Sequence, residues 1–171
     1  MLKKFKQDKE VWLKYGEFKM THGTAPLGHT SPRHVQFLAL GMAGDGRKLL
    51  QRSLKSLPKR EHVEVISKFG IMEFKHGEAE RGRTIFENVL TSYPKRTDLW
   101  SLLLDHELRM GEVEAVRTLF ERIISLNLSS KKMKSFFKRY LDFEKGEGNM
   151  KGVEHVKTKA REYVQTKADA K

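Results

Sequence analysis

The sequence predicts an all-α fold, an α-solenoid of about four helix hairpins, and its main support is an internal repeat. Residues 66–94 and 100–128 are two copies of one unit, offset by 34 positions. In each copy, apolar residues recur at the spacing of amphipathic helices on both sides of a glycine turn. One hairpin cannot bury its apolar stripe alone, whereas stacked hairpins can, so this interval indicates a solenoid.

The alignment of the two copies defines the helices and the expected core. The aligned pairs are Ile66/Trp100, Phe69/Leu103, Glu73/Glu107, Gly77/Gly111, Arg83/Arg117, Ile85/Leu119, Phe86/Phe120, Glu87/Glu121 and Leu90/Ile124. We expect Phe86 and Phe120 to lie in the seams between neighbouring hairpins. Extended along the chain, the periodicity predicts helices near 9–20, 47–57, 61–76, 79–92, 97–110, 113–126, 131–145 and 151–165.

The first hairpin is interrupted. In the two intact units, a short connection joins the turn glycine to the arginine that opens the second helix, as from Gly111 to Arg117. The corresponding Gly23 and Arg47 enclose a much longer stretch. The sequence therefore predicts an insertion between the helices Lys9–Met20 and Arg47–Leu57. We expect Leu49, Leu50 and Leu54 to face the core, as the corresponding residues do in the intact units.

The added stretch Thr24–Gly46 differs in composition from its surroundings. Only Arg33 and Asp45 are charged, and prolines and glycines are frequent. Long connections without secondary structure are usually functional or disordered, so a disordered insertion in a single domain of residues 1–171 is predicted. Two alternatives stay open: its apolar segment Val35–Leu40 docks as a short helix or strand, or the stretch derives from an alternative exon.

The last hairpin is predicted to end the array. Its first helix, Lys131–Lys145, places apolar residues at i, i+3, i+4, i+7 and i+8, which is typical of one buried face. A glycine turn leads to a helix of about residues 151–165. This helix carries many lysines, as a cap that faces water requires.

The net charge of +12 is unevenly distributed. Residues 1–60 carry 13 lysines and arginines against 4 acids, residues 61–128 carry 9 against 12, and residues 129–171 carry 12 against 6. Basic surfaces of this density favour a polyanion, of which RNA is a common example, although a solvated lysine-rich surface is the plainer interpretation. Around the helix that opens the last hairpin, residues 129–145 carry six lysines and arginines against two acids. The predicted RNA-binding residues there are Lys131, Lys132, Lys134, Lys138 and Arg139.

No catalytic, metal or cofactor site is predicted. The chain has no cysteine. The spacing of His22, His29 and His34 does not place two imidazoles on one helical face, no carboxylate cluster accompanies them, and the other histidines are spread over separate elements. The glycines of residues 41–46 resemble a phosphate-binding loop, but Arg47 and Lys48 occupy the places where that chemistry needs lysine and then serine or threonine. No apolar run is long enough to span a membrane, and the start of the chain has no secretory signal.

The recurring carboxylates are expected to support the fold. Glu73, Glu107 and Glu144 each follow a first-helix anchor by seven residues. A residue that returns once per repeat is spread along the array, whereas acid–base catalysis needs convergence on one pocket. We therefore predict ion pairs or hydrogen bonds between helices, with Arg83 or Arg117 as partners. The aromatic residues are assigned to packing: Trp12, Tyr15, Phe18, Phe69, Phe86, Trp100, Phe120, Phe136, Phe137 and Tyr140.

Several motifs resemble a known repeat family. Trp12 with Tyr15, Trp100 with Glu107, and the segments 83–87 and 117–121 resemble HAT (half-a-TPR) repeats, which occur in RNA-processing proteins. More narrowly, the segments 62–69, 93–98 and 132–142 are similar to the C-terminal array of the programmed cell death protein 11 family. These large nucleolar ribosome-biogenesis proteins carry tandem OB-fold RNA-binding domains ahead of the HAT array. The resemblance covers nearly the whole chain except Thr24–Gly46.

This resemblance implies a non-catalytic scaffold in the nucleus and nucleolus. Its implied partners are pre-rRNA and ribosome assembly factors, during pre-rRNA processing toward the small ribosomal subunit. It also implies that the chain is a fragment or a short form. Two rival functions stay open: a HAT scaffold in mRNA 3′-end processing or splicing, and a TPR-type adaptor that binds acidic peptide tails.

Overall fold

In the computed structural model, residues 7–22, 48–126 and 128–169 are described. They form eight helical segments and contain no strand, which confirms the all-α prediction. The second of them is described over residues 48–56. The helices are α1 Lys9–His22, α2 48–56, α3 Lys59–His76, α4 Ala79–Ser92, α5 Thr97–Met110, α6 Val113–Ile124, α7 Ser130–Gly146 and α8 Met150–Asp169.

The helix boundaries agree closely with the predicted ones. The helix α3 begins at Lys59, slightly earlier than expected, because the extended backbone of Pro58 serves as its N-cap. The helix α6 ends at Ile124 instead of 126, where the Ser125 N–H closes on the Glu121 carbonyl and the chain turns. The helix α8 continues past the predicted end at 165 and stops at Asp169.

The chain divides into two compact units, Met1–Tyr93 and Pro94–Lys171. The first unit contains α1 to α4. Side chains from α1, α2 and α3 share one apolar cluster, which includes Trp12, Leu49 and Phe69, and Leu50 packs against it. The guanidinium of Arg52 in α2 lies 5.9 Å from the centre of the Trp12 ring. The second half of the first hairpin therefore packs on α1, although the long stretch 23–47 separates the two helices in sequence.

The second hairpin packs closely because two glycines face aromatic rings. A Cβ atom at Gly70 would lie 2.8 Å from the Phe86 ring, and one at Gly82 would lie 2.8 Å from the Phe74 ring. The centres of the Phe74 and Phe86 rings are 6.0 Å apart. This close approach of α3 and α4 leaves Phe86 fully buried, with its ring against α3 of its own hairpin.

The core position predicted for Phe18 is wrong. Its side chain is 56% exposed, whereas Trp12, Leu13 and Met20 on the same helix are buried. The buried face of α1 follows residues 12, 13, 16 and 20, and at about 100° per residue Phe18 lies on the opposite side. The other aromatic residues assigned to packing are buried or, like Tyr15, partly buried against the core.

The second unit contains α5 to α8. The Trp100 ring of α5 is buried, its Nε1–H donates to the carbonyl of Pro94 at 2.8 Å, and the Arg122 guanidinium lies 5.3 Å from its centre. Phe120 of α6 is fully buried and stacks on Tyr140 of α7 at 4.5 Å between ring centres. Phe120 therefore lies in a seam between neighbouring hairpins, as predicted.

The third and fourth hairpins share one turn geometry. Gly111 and Gly148 both have a positive φ, of 76° and 67°. Because side chains rarely adopt this backbone conformation, glycine allows each first helix to end sharply. The buried carboxylates Glu107 and Glu144 precede these glycines at the same spacing, so the repeat continues into the fourth hairpin.

Residues 24–46 lie outside the described residues, and so does Arg47. The insertion and the glycine segment before Lys48 therefore stay predictions, and so does the assignment of residues 1–171 to a single domain.

Candidate nucleic-acid interface

The helix α7 separates its side chains into an apolar and a basic face. Met133, Phe136, Phe137 and Tyr140 are buried, as the spacing predicted. Among the five predicted RNA-binding residues, the four lysines are exposed and Arg139 is partly buried. The structure thus places the lysines of the candidate set at the surface of one helix.

Two of the five candidates contact the preceding hairpin. Arg139 donates to a carboxylate oxygen of Asp105 at 2.5 Å, and Lys132 donates to the hydroxyl of Thr97 at 2.9 Å. Both acceptors lie on α5. These two residues therefore hold α7 on α5, a role that the charge pattern alone did not distinguish from RNA binding.

The other three candidates have different surroundings. Lys131, Lys134 and Lys138 have neither an ion-pair nor a hydrogen-bond partner within the described part of the chain, and the same holds for Lys145 on the same face. The candidate set omitted Lys145, although the helical spacing indicates it. Asp142 also lies on this face, is exposed, and has no partner among the described residues.

The acidic residues before α7 behave differently from these lysines. In residues 61–128 the exposed and partly exposed acids mostly bind basic side chains close by. The pairs include Glu64–Lys9, Glu78–Arg81, Glu80–Arg83, Asp98–Arg96, Asp105–Arg139 and Glu114–Arg117. The mildly acidic middle of the sequence is thus largely neutralised by nearby arginines and lysines, whereas the charge of the α7 lysines is left for solvent or a ligand.

A buried ion pair positions α7 against α6. The Arg117 guanidinium donates through Nε and Nη2 to the two carboxylate oxygens of Glu144 at 2.8 and 3.1 Å. The Glu144 side chain is 1% exposed, and Asn149 donates to it at 2.8 Å. The bond from Arg117 holds the pKa of Glu144 below its usual value, and it raises the pKa of Arg117. The predicted ion pair between helices is confirmed for Glu144 and Arg117.

A second polar group lies beside this pair. The Tyr140 hydroxyl donates to a Glu121 oxygen at 3.0 Å, and His155 Nε2 lies 2.9 Å from the same oxygen. Burial and the hydrogen bond to Glu121 raise the pKa of Tyr140. These contacts join α6, α7 and α8 around the stacked rings of Phe120 and Tyr140. The backbone of α7 is therefore fixed, and its outer face is presented by a rigid support.

The described residues offer neither a metal centre nor a membrane span. They contain no group of three or more histidines, cysteines, aspartates or glutamates that could hold a metal ion. None of the described helices combines the length and the apolar character that a bilayer span requires. The exposed lysine face of α7 is thus the candidate surface that remains from the sites considered in the sequence.

Comparison with known proteins supports the helical-repeat interpretation. A family model described as "Suppressor of forked protein (Suf)", a HAT repeat family, matches residues 40–171. The chain is 48% identical over 170 residues to "Protein RRP5 homolog" of Mus musculus and 47% identical over 168 residues to the protein of that name in Homo sapiens. It is 48% identical over 164 residues to "rRNA biogenesis protein rrp5" of Schizosaccharomyces pombe.

These matches cover nearly all of this chain and a small part of each relative. The mouse, human and fission yeast alignments cover 99%, 98% and 96% of the chain. They cover 8%, 8% and 9% of the relatives' own lengths. In human and mouse the RRP5 homolog is programmed cell death protein 11, so the resemblance found in the sequence is confirmed.

Proposed function

The chain belongs to the Suppressor of forked protein family of HAT repeats, and we propose that it is a non-catalytic scaffold in ribosome biogenesis. In this role it binds pre-rRNA and ribosome assembly factors during pre-rRNA processing toward the small ribosomal subunit. The observation that supports it most is the 42–48% identity over nearly the whole chain to four proteins named for rRNA biogenesis or as RRP5 homologs.

The absence of catalysis is proposed from the placement of the polar groups. The carboxylates that recur in the repeats are buried at separate helix junctions, and Glu144 is bound by an arginine and an asparagine. General acid–base chemistry needs groups that converge on a substrate with separated pKa values. The polar groups of the fourth hairpin instead bind one another, which is what a rigid support for a binding surface requires.

The RNA contact is proposed to lie on α7. The five residues put forward are Lys131, Lys132, Lys134, Lys138 and Arg139. The first turn of α7 carries no acid, so Lys131 lies at the positive end of the helix dipole without a compensating charge. Positive charge at the N-terminus of a helix lowers helix stability, and an anionic ligand bound there would offset this effect. The proposed function provides such a ligand, RNA phosphate.

The proposed location is the nucleus and nucleolus, where pre-rRNA is made and processed. The assembly factors would bind surfaces other than the lysine face, since phosphate contacts and protein contacts need different side chains. Helical repeat arrays generally provide extended surfaces for binding other molecules.

Crosslinking of the chain to RNA in cells tests this proposal. A tagged chain is irradiated in living cells, purified under denaturing conditions, and the crosslinked RNA is sequenced. We expect reads concentrated in pre-rRNA, and a chain that fractionates with pre-ribosomal particles. A variant with three lysines of the face reversed to glutamate, K131E/K134E/K138E, serves as the control for RNA contact through α7.

The rival functions predict other results in the same experiment. Reads concentrated at mRNA 3′ ends or at splice sites would favour the scaffold in mRNA processing and contradict the ribosomal assignment. A chain that crosslinks to no RNA and instead binds acidic C-terminal peptides would favour the TPR-type adaptor.

A further inference from the structure

We infer that Lys131, Lys134, Lys138 and Lys145 form one row that binds the sugar-phosphate backbone of a single RNA strand along α7. This inference rests on the proposed function and specifies the ligand chemistry and the residues of its RNA contact. It adds Lys145 to the contact, and it assigns Lys132 and Arg139 to the support of the helix.

The geometry of the helix places these lysines in line. At about 100° per residue, the four positions fall within roughly 60° of one another around the helix axis. At about 1.5 Å of rise per residue, Lys131 and Lys145 are separated by about 21 Å along the axis. Lys132 and Arg139 lie roughly 80–100° further round, on the side where α5 binds them.

The row is exposed, and its ammonium groups form no ion pairs with described residues. None of the four ammonium groups has an ion-pair or hydrogen-bond partner within the described chain, and all four side chains are exposed. Beneath them, the buried face of α7 is held by the Arg117–Glu144 pair and by Tyr140 stacked on Phe120. Binding of a flexible ligand here therefore requires little ordering of the protein, since the helix is already fixed.

The composition of this face favours a phosphate backbone over a protein partner. Stable protein interfaces have an apolar or aromatic centre, and the exposed large hydrophobic residues of the described chain are Phe18, Tyr93, Met110, Met150 and Val164, all of them outside α7. Lysine offers a point charge on a flexible stem, without the planar fork that reads base edges. Such contacts position RNA without selecting its sequence.

Asp142 allows a test whose expected effect on RNA affinity is opposite to that of the lysines. It lies between Lys138 and Lys145 on the same face, and it too is exposed and without a partner in the described residues. If a phosphate strand follows this row, the Asp142 carboxylate repels it. Neutralising Asp142 should therefore strengthen binding, whereas neutralising the lysines should weaken it.

Two charge-matched variants of the chain test the row. K134Q/K138Q removes two positive charges from the row, and K132Q/R139Q removes two from the α5 side of the same helix. Affinity for a labelled oligouridylate is measured by fluorescence anisotropy from about 50 to about 200 mM salt, the range in which counterion release is strong. Thermal melting is followed in parallel.

The two variants should separate clearly. We expect K134Q/K138Q to bind about tenfold more weakly at low salt, with a salt slope shallower by about 1.4 for a single strand and an unchanged Tm. We expect K132Q/R139Q to lower the Tm and to keep the parent's salt slope. D142N should raise the affinity and steepen the salt slope.

The remaining outcomes would overturn either the row or the function. Equal weakening by both double variants would show that net charge alone matters and would overturn the row. If the parent binds RNA and K134Q/K138Q binds it equally well, the row is wrong and RNA binds elsewhere, while the proposed function stands. If polyglutamate binds the row and oligouridylate does not, an acidic protein is the partner and the row does not bind RNA. If crosslinking in cells recovers no RNA, the proposed function itself fails.

Discussion

The first and third hairpins of this chain solve the same packing problem with very different connections. In the third hairpin, the guanidinium of Arg122 lies over the buried Trp100 ring. In the first, the guanidinium of Arg52 lies over the buried Trp12 ring. Once the greater length of the first connection is discounted, Arg52 follows Trp12 at the spacing at which Arg122 follows Trp100. The two helices therefore meet in the same register in both hairpins.

This agreement shows what sets the register of a hairpin. A short turn restricts how two helices can meet, and the third hairpin has such a turn at Gly111. The first hairpin lacks a short turn but reaches the same contact, with Leu49 of α2 in one cluster with Trp12 and Phe69. Side-chain packing therefore determines the register, and the connection only has to permit it.

The largest effects should come from two buried phenylalanines, one in each compact unit. Phe86→Ala and Phe120→Ala should each lower the free energy of unfolding by roughly 3–5 kcal/mol, because each side chain is fully buried and its loss leaves a cavity. The measurement is chemical denaturation of the purified chain. Losses of similar size would show that a single buried phenylalanine contributes equally to the stability of each unit.

The matched control for both variants is Phe18→Ala. Phe18 is also a phenylalanine on a helix, but its side chain is 56% exposed, so we expect a change within about 0.5 kcal/mol. Losses within error for both buried residues, or a loss at Phe18 as large as theirs, would contradict the assignment of the core.

The next effect in size concerns the buried ion pair of the second unit. Glu144→Gln should lower the free energy of unfolding by about 1–3 kcal/mol at neutral pH, because Arg117 and Asn149 lose a charged acceptor. The folded-state pKa of Glu144 is depressed, chiefly by the bond from Arg117. The contribution of this lowered pKa to the free energy of unfolding is therefore present above the ordinary pKa of 4.5 and is lost as the pH falls below it.

The pH dependence provides the measurement. The difference in stability between the parent chain and Glu144→Gln should be largest at about pH 7 and should shrink as the pH falls through about 4. Glu114 binds the same arginine at 2.6 Å with a side chain that is 84% exposed, so Glu114→Gln is the control, with an expected effect below about 1 kcal/mol. A pH-independent difference for Glu144→Gln would rule out the depressed pKa.

Sequence periodicity was enough to predict the helices and most of the core, for a physical reason. The apolar stripes of α5, α6 and α7 recur at helical spacing, so the buried faces followed from the sequence, and the Arg117–Glu144 pair was among the partners expected. Phe18 was misassigned because three aromatic residues at intervals of three suggest one face, whereas α1 buries residues 12, 13, 16 and 20.

The candidate site was only partly predictable. Charge density identified α7, and the helical spacing identifies its outer row. The roles of Lys132 and Arg139 depend on Thr97 and Asp105, which lie on the preceding hairpin. A contact of this range follows from how successive hairpins stack, and the local sequence of α7 contains no signal for it.

A smaller effect tests the shared register directly. Arg52→Ala and Arg122→Ala should each lower the free energy of unfolding by about 0.5–1 kcal/mol, the usual size of a cation–π contact at an exposed site. Because both arginines are exposed and lie over buried tryptophans, similar losses are expected from the two hairpins. A loss at Arg122 with none at Arg52 would indicate that the first hairpin is less well held.

The last expected effect is small although the change is the most drastic one, removal of Thr24–Gly46. A variant that joins Gly23 to Arg47 through the connection of the third hairpin, residues 112–116, restores the interval found in the intact units. Loop-closure entropy changes by about 0.6 kcal/mol for each doubling of length, and the connection becomes shorter by roughly two halvings, so the chain should gain about 1 kcal/mol of stability or stay unchanged. Chemical denaturation measures this change, and retention of the Arg52→Ala loss in the shortened chain would show that the register is kept. Loss of folding on deletion would instead mean that the insertion packs as part of the core.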